Sequence, residues 1–369
     1  MRVLIIPDKF KGTLTAQQAA AAIAAGWRRA RPHDHLDLLP MSDGGDGFGE
    51  VLAALLGARP QTVRTVDAAH RPVRATWWWD AKTRTAIIES ARIIGLAMVP
   101  HGRFHPFELD TFGLGAVLLA AAKKGARHCL VGIGGSATND GGFGLARALG
   151  WRFLAAAGES IESWSELHRL KTIHAPKRRR LFAELLIAVD VQNKLLGAHG
   201  CSRVYGPQKG LRPDDFPIAE RNLRRLATVV ARHARRSVAT EPGAGAAGGL
   251  GFGLRAFVGG RFTPGFDLFA RLAKLQHRMR SADLIITAEG CIDRSSLMGK
   301  GVGEVARRCR QLKLPCVGIG GVVNDRSRLL NLFTHVHALA PDCASPDEAR
   351  EHAAFWLAHV ARRVAGDWR

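Results

Sequence analysis

The segment HCLVGIGGSATNDGG, residues 128–142, joins an apolar run to a glycine-rich polar loop. The run from His128 to Ile133 is typical of a buried strand in a parallel sheet, because such strands are covered on both faces. In the loop, glycines allow positive φ and close backbone approach, and short side chains supply hydroxyl, amide and carboxylate groups. Successive N–H groups ahead of a helix that begins near Gly142 would bind an anion. We therefore expect a ligand at this loop.

Similar polar clusters follow other apolar runs of the chain. Continuous apolar strands that alternate with helices indicate βαβ units and a parallel sheet. Ligands of such sheets bind at the carboxyl ends of the strands. The clusters found at those ends are Asp8–Gly12, Ser42–Asp46, Asp190–Asn193 and Glu289–Asp293. The sequence therefore predicts an α/β fold with a ligand site at one edge of the sheet.

The length of 369 residues predicts two domains, because a single core rarely grows so large. Strands that begin at residues 3, 36, 128, 283, 315 and 336 are expected to form one open parallel sheet, Rossmann- or flavodoxin-like. A hairpin of residues 73–79 and 85–88 is the clearest antiparallel signal. The predicted division is a discontinuous Rossmann-like domain of residues 1–64, 105–150 and 279–369, and a second α/β domain of residues 65–104 and 151–278.

Charge and cysteine content limit the classes of function. Lys and Arg exceed Asp and Glu by 53 to 32, a net charge of +21, which attracts anionic ligands. The basic run Lys177–Arg180 and an arginine stripe over residues 221–236 are interpreted as solvated surface. Without a recognition module they are weak evidence for nucleic-acid binding, so a paralogue that binds nucleic acid stays only as an alternative. No membrane span, signal peptide or cysteine pair with metal-ligand spacing is evident, so we expect a cytoplasmic protein.

The residues of the clusters suit phosphoryl transfer. Lys11 and Lys300, each next to a glycine, would bring positive charge to phosphate, and the carboxylates would hold Mg²⁺ or accept a proton. Such groups are the parts that phosphoryl transfer needs. Gly132, Gly134 and Ala137 also match the dinucleotide-binding pattern GxGxxA, which leaves an oxidoreductase as an alternative.

Six motifs resemble the type 1 glycerate kinase family of bacteria, in order from residue 1 to about residue 320. They are PDKFKGTLTA (7–16), SDGGDGFGE (42–50), GIGGSATNDGG (132–142), VYGPQKG (204–210), PGAGAAGG (242–249) and AEGCIDRSSLMGK (288–300). The resemblance implies two dissimilar α/β domains with the active site in the cleft between them. It also implies phosphorylation of D-glycerate with ATP and Mg²⁺, in glyoxylate or glucarate catabolism, giving 2-phosphoglycerate in preference to 3-phosphoglycerate.

On this interpretation the site residues take three roles. Asp190 orients or deprotonates the attacking hydroxyl, and Lys11 and Lys300 neutralise phosphate charge. Glu289 and Asp293, four residues apart, are expected to bind Mg²⁺. The residues expected to bind substrate or phosphate are Asp8, Gly134, Gly135, Ser136, Thr138, Asn139, Asp140 and Asn193.

The chain departs from the family pattern at several site positions. Gln192 stands where the family usually has an acid, and Lys194 where it has a proline. Arg294 and Ser295 replace a glycine and a glutamine. A kinase for another small hydroxy acid, or a paralogue of low activity that only binds ligands, therefore stays open as an alternative. The oligomeric state is open too, with a homodimer as one option.

Overall fold

The computed structural model describes residues 1–177, 180–293, 296 and 301–368. Lys300, Arg294 and Ser295 lie outside the described residues. The strands are β1 (Arg2–Pro7), β2 (His35–Leu38), β3 (Arg59–Val66), β4 (Pro72–Asp80), β5 (Thr85–Glu89), β6 (His128–Gly132), β7 (Arg152–Leu154), β8 (Thr172–His174), β9 (Glu184–Ala188), β10 (Arg261–Thr263), β11 (Leu284–Ile292), β12 (Cys316–Val323) and β13 (His335–Ala340).

The α-helices range from single turns to 19 residues. They are α1 (Ala16–Ala30), α2 (Phe48–Leu56), α3 (Ala91–Ile94), α4 (Phe112–Lys123), α5 (Phe143–Ala148), α6 (Cys201–Tyr205), α7 (Phe216–Ala234), α8 (Ala246–Phe257), α9 (Gly265–Leu272), α10 (Leu275–Arg280), α11 (Gly301–Leu312), α12 (Arg326–Leu329), α13 (Pro346–Glu351) and α14 (Ala353–Asp367). Short 3₁₀ helices cover Leu96–Met98, Pro106–Glu108, Trp164–Arg169, Pro207–Lys209 and Pro213–Asp215.

The chain divides into two compact units, Met1–Asp43 with Phe266–Arg369, and Gly44–Gly265. Within the first unit the sheet has the order β13-β12-β11-β1-β2, and all its strand pairs are parallel. Numbered along this unit, the order is 2-1-3-4-5, which is the doubly wound, flavodoxin-like arrangement. Its core includes the fully buried Trp27 of α1 and Leu357 of α14, packed with Ile5 and Ile286 of the sheet. The expected open parallel sheet is therefore present.

The second unit contains a mixed sheet of order β10-β9-β6-β5-β4-β3. Strands β3, β4 and β5 are antiparallel neighbours, which confirms the hairpin, whereas β5, β6, β9 and β10 run parallel. The strand at His128–Gly132 pairs here with β5 and β9, so its predicted place in the first sheet is wrong. Its uniformly apolar side chains indicate a parallel strand buried on both faces, but carry no information on which sheet it joins.

The observed units also differ from the expected division. Residues 44–64 and 105–150 lie in the second unit, and residues 266–278 lie in the first. The edge strand β3 was not predicted, because its exposed polar side chains, among them Arg59 and Arg64, dilute the alternation that marks a strand.

Local helix signals were predicted well. Thr15 caps α1 through a capping box with Gln18, and Ser345 caps α13 in the same way with Glu348. In the described part of the chain, no helix combines the length and the hydrophobicity that crossing a bilayer demands.

Candidate active site

The first unit brings a lysine and several acids to the carboxyl ends of β1 and β11. The order of the strands along the chain reverses between these two, which is where doubly wound sheets bind ligands. Asp8 follows β1 and donates its N–H to the Ala288 carbonyl at 2.7 Å. Lys11 is exposed at the tip of a tight turn, and its backbone nitrogen would lie 3.4 Å from a Cβ added at Gly290. The loop after β1 therefore packs on β11 at this edge.

The carboxylate of Asp8 lies in a field of negative charge. Burial and the charge of Asp43 raise the pKa of Asp8 to about 7, with a smaller contribution from Glu289. The charge and the N–H group of Lys9 oppose this rise, the N–H donating to Asp8 Oδ1 at 2.7 Å. Such mutual repulsion among three carboxylates would be relieved by a cation.

Glu289 lies near the end of β11, and Asp293 directly follows the strand. Strand β11 extends to Ile292, beyond the predicted Thr287, so residues 289 and 291 point the same way. Ser296 donates its hydroxyl to Glu289, and Cys291 Sγ lies 3.8 Å from Asp293 Oδ2. Among the described residues no group of three His, Cys, Asp or Glu side chains forms a metal site. Mg²⁺, however, is commonly held by one or two carboxylates together with phosphates and water.

The loop after β6, residues 133–142, is called the glycine loop below. Only its tip, Gly134 and Gly135, is accessible among the loop residues predicted to bind ligand. Ser136 and Thr138 are buried and share a hydrogen bond of 2.9 Å between their hydroxyls. Asn139, fully buried, donates from Nδ2 to Ser202 Oγ at 2.9 Å. These three side chains therefore shape the loop from inside.

Asp140 is fully buried, and its carboxylate accepts four hydrogen bonds. The donors are the N–H and hydroxyl of Thr111 at 3.0 and 2.7 Å, and the N–H groups of Gly142 and Gly144 at 3.2 and 2.9 Å. Burial, with a contribution from Asp110, raises its pKa to about 6. This arrangement favours a role in fixing the loop over the ligand contact expected from sequence.

Two further glycine-containing motifs meet the glycine loop. Lys209, from the VYGPQKG motif, is buried and donates from Nζ to the Thr138 carbonyl at 2.6 Å, and burial lowers its pKa to about 8. The PGAGAAGG motif approaches through backbone: Gly141 N–H donates to the Gly248 carbonyl at 3.1 Å. A Cβ added at Gly248 would lie 1.9 Å from the Thr138 carbonyl oxygen. The sequence marked these motifs but did not indicate that they brace one loop.

Asp190 follows β9, beside the glycine loop's strand. It is partly buried, and its Oδ1 accepts the Gly265 N–H at 2.8 Å. Asn193 is held on both sides: Nδ2 donates to the His199 carbonyl at 2.9 Å, and Oδ1 accepts the Tyr205 hydroxyl at 2.6 Å. The departing residues Gln192 and Lys194 are exposed.

Sequence reasoning missed the acid that ends β5. Glu89 is 3% exposed and lies opposite Gly132 of β6, its register partner, at the carboxyl ends of these two strands. Its signal was an acid directly after an apolar strand, the same signal that singled out Asp190. Asp46, from the SDGGDGFGE motif, lies beside Gly135 of the glycine loop.

The dinucleotide alternative loses its structural basis. In that fold the glycine turn leads directly into a helix whose N-terminus binds pyrophosphate. Here β6 ends at Gly132 and α5 begins only at Phe143, after the glycine loop.

The first unit has a doubly wound sheet with a lysine and acids at its reversal point, and the second has a braced glycine loop on its own sheet, so the fold is of the α/β class with polar groups at the carboxyl ends of strands. Comparison with known proteins specifies the family. The sequence model of the glycerate kinase family matches residues 3–369, and the chain belongs to this family.

Named relatives support this membership across the chain. A glycerate kinase of Halalkalibacterium halodurans is 35% identical, with 98% of this chain and 97% of the relative covered. The glycerate 2-kinase of Escherichia coli is 34% identical, with 99% and 97% covered. A crystal structure titled putative glycerate kinase 2 from Salmonella typhimurium is 33% identical, has a TM-score of 0.84, and matches over 99% of this chain and 97% of that one. The chain is thus a kinase by its family.

Proposed function

We propose that this chain transfers the γ-phosphoryl group of ATP to the 2-hydroxyl of D-glycerate, giving 2-phosphoglycerate and ADP. The observation that carries the proposal is the match to a family of glycerate kinases over residues 3–369. The relative from Escherichia coli, named glycerate 2-kinase, supports the 2-hydroxyl as acceptor. An ATP-dependent reaction of this kind belongs in the cytoplasm.

In the proposed reaction the substrate hydroxyl attacks the γ-phosphorus in line, and the bond to the bridging oxygen of ADP breaks. Asp190, anchored through one oxygen by Gly265 N–H, orients the hydroxyl and takes up its proton. Lys11 and Lys300 offset negative charge on the phosphates. The accessible backbone of Gly134 and Gly135 contacts the substrate.

Mg²⁺ is proposed to reach the protein with ATP. Glu289 near the end of β11 and Asp293 directly after it would hold the ion with Asp8 nearby, while phosphate oxygens and water complete its coordination. The raised pKa of Asp8 supports this role, because a bound cation would favour the ionised carboxylates. The ion supplies charge stabilisation during transfer.

ADP release from MgATP, followed with and without D-glycerate, tests the proposal. Product that enolase converts to phosphoenolpyruvate is the 2-phosphate, since enolase does not accept the 3-phosphate. Glycerate-dependent ADP without an enolase-competent product would indicate the 3-hydroxyl instead. ADP release with other hydroxy acids but not with glycerate would favour the alternative substrate class, which the exposed Gln192 and Lys194 keep open.

A further inference from the structure

Glu89 holds the start of α2. Its Oε1 accepts the Gly47 N–H at 3.0 Å, and its Oε2 accepts the Gly49 N–H at 2.9 Å. The N-cap of α2, Gly47, has φ 88° and brings no side chain to these donors. Because the first N–H groups of a helix lack internal partners, the Glu89 carboxylate takes the place of a capping side chain. The segment of residues 44–47, called the aspartate loop below, is thereby fixed at its far end.

The aspartate loop lies directly on the tip of the glycine loop. The Gly44 carbonyl accepts the Gly134 N–H at 3.3 Å. A Cβ added at Gly135 would lie 2.4 Å from Oδ1 of Asp46, so the carboxylate of Asp46 covers this glycine. Asp46 is exposed, as is Gly135. The accessible tip of the glycine loop therefore has a carboxylate for a neighbour.

In the part of the chain that the structure describes, the acids Asp46, Glu50 and Glu89 lie around this tip. Among the described residues, Arg92 contacts Glu50, and its Nε lies 3.7 Å from Oε2 of Glu89. Burial, and to a smaller extent the charge of Asp46, raise the pKa of Glu89. An ionised carboxylate only accepts hydrogen bonds, and a hydroxyl group can donate one to it.

We propose that Asp46 accepts a hydrogen bond from a hydroxyl group of the substrate, and that Glu89 is the positioning residue that holds Asp46 over Gly135. Asp46 would then help to select hydroxy acids. The identification of the hydroxy acid as D-glycerate rests on the proposed function. The recognition of a hydroxyl group by Asp46 does not depend on phosphoryl transfer.

Three variants separate the parts of the proposal. Asp46→Ala removes the acceptor, and we expect the dissociation constant for D-glycerate to rise about 10- to 100-fold, as for a lost hydrogen bond to a charged group. Glu89→Gln keeps the shape but leaves one N–H facing an amide group, so it should weaken glycerate binding in the same direction. Glu50→Ala is the matched control, since Glu50 touches Arg92 but neither N–H group. All three should leave the KM for MgATP unchanged and should unfold cooperatively.

Substrate analogues identify the hydroxyl. Calorimetric titrations compare D-glycerate with lactate, which lacks the 3-hydroxyl, and with 3-hydroxypropionate, which lacks the 2-hydroxyl. The analogue that lacks the recognised hydroxyl should bind wild type and Asp46→Ala equally, while D-glycerate distinguishes them. Equal loss for all three ligands, unchanged glycerate binding in Asp46→Ala, or no hydroxy acid binding to wild type would overturn the proposal.

The binding titration is independent of turnover. Asp46-dependent glycerate binding without ADP release would support this inference and reject the proposed function. Glycerate-dependent turnover that is indifferent to Asp46→Ala would reject the inference alone.

Discussion

The acids at the strand ends differ in the donors that surround them, and this difference is the basis for the different roles proposed for them. Asp140 is enclosed by four donors and acts on loop shape, whereas Asp190 uses one described donor, Gly265 N–H, and stays partly accessible. Sequence reasoning expected both to act on ligand, Asp190 as the group that orients or deprotonates the hydroxyl and Asp140 in substrate or phosphate binding, because an acid after a strand looks the same whichever donors the distant chain supplies. Thr111, which gives Asp140 two of its donors, precedes it by 29 residues.

Asp190→Asn tests the proposed proton acceptor. Asparagine keeps the carbonyl oxygen that accepts the Gly265 N–H, so the free energy of unfolding should change by less than about 1 kcal/mol. Loss of the carboxylate should lower kcat about 100-fold or more. Steady-state kinetics and urea unfolding measure the two effects. Turnover near that of wild type would remove Asp190 from this role.

Asp8→Asn tests whether burial and neighbouring carboxylates raise the pKa of Asp8, which follows β1. Asp8 keeps its proton in the folded protein up to about pH 7, but its ordinary pKa in the unfolded chain is 3.8. At a pH between these two values, Asp8 is protonated in the folded protein and ionised in the unfolded chain, so unfolding releases a proton. The free energy of unfolding of wild type therefore falls as pH rises through this window. Three pKa units correspond to at most about 4 kcal/mol.

Asparagine does not titrate, so the variant should lack this decline and gain stability relative to wild type at pH 8 compared with pH 4. Urea unfolding at both values supplies the comparison. Parallel pH dependence in the two proteins would show that Asp8 ionises normally when folded.

At the scale of elements, glycine motifs are explained by contacts between backbones. The sequence predicted that the glycine loop follows a buried strand and precedes a helix near Gly142, and both are observed. It did not predict that α8 packs on the same loop, because a glycine records the need for space but not the identity of its neighbour. Gly253 of α8 illustrates this: its added Cβ would lie 2.6 Å from Gly142 Cα.

Gly253→Ala and Gly366→Ala form a matched pair of helical substitutions. At Gly253 the new methyl group meets backbone, and we expect a loss of about 1–3 kcal/mol in stability. At Gly366, near the end of α14, an added Cβ meets no atom within 4 Å, so alanine should stabilise the helix by up to about 1 kcal/mol. Chemical unfolding of both variants checks the signs, and equal effects would contradict the packing of α8 on the glycine loop.

At the scale of the whole molecule, the sequence specified the α/β class but not the assignment of strands to sheets. The strands with the clearest apolar runs were found, yet β6 was assigned to the wrong sheet, since parallel strands buried on both faces look alike in sequence. Net charge, in contrast, follows directly from counting the charged residues in the sequence. It contributes to the electrostatic potential around the whole protein.

The charge of +21 predicts salt-sensitive capture of anionic substrates. We expect kcat/KM for D-glycerate and MgATP to fall several-fold as ionic strength rises above physiological values, because screening shortens the range of attraction. The value of kcat, which measures the turnover of substrate that is already bound, should change little. A kcat/KM that is independent of salt would show that the charge does not act on substrate capture.

Glycerate-dependent ADP release, coupled to identification of the product with enolase, tests the central claim most directly. We predict ADP formation from MgATP only when D-glycerate is present, with a product that enolase converts to phosphoenolpyruvate. Folded protein that releases no ADP with D-glycerate would contradict the proposed function.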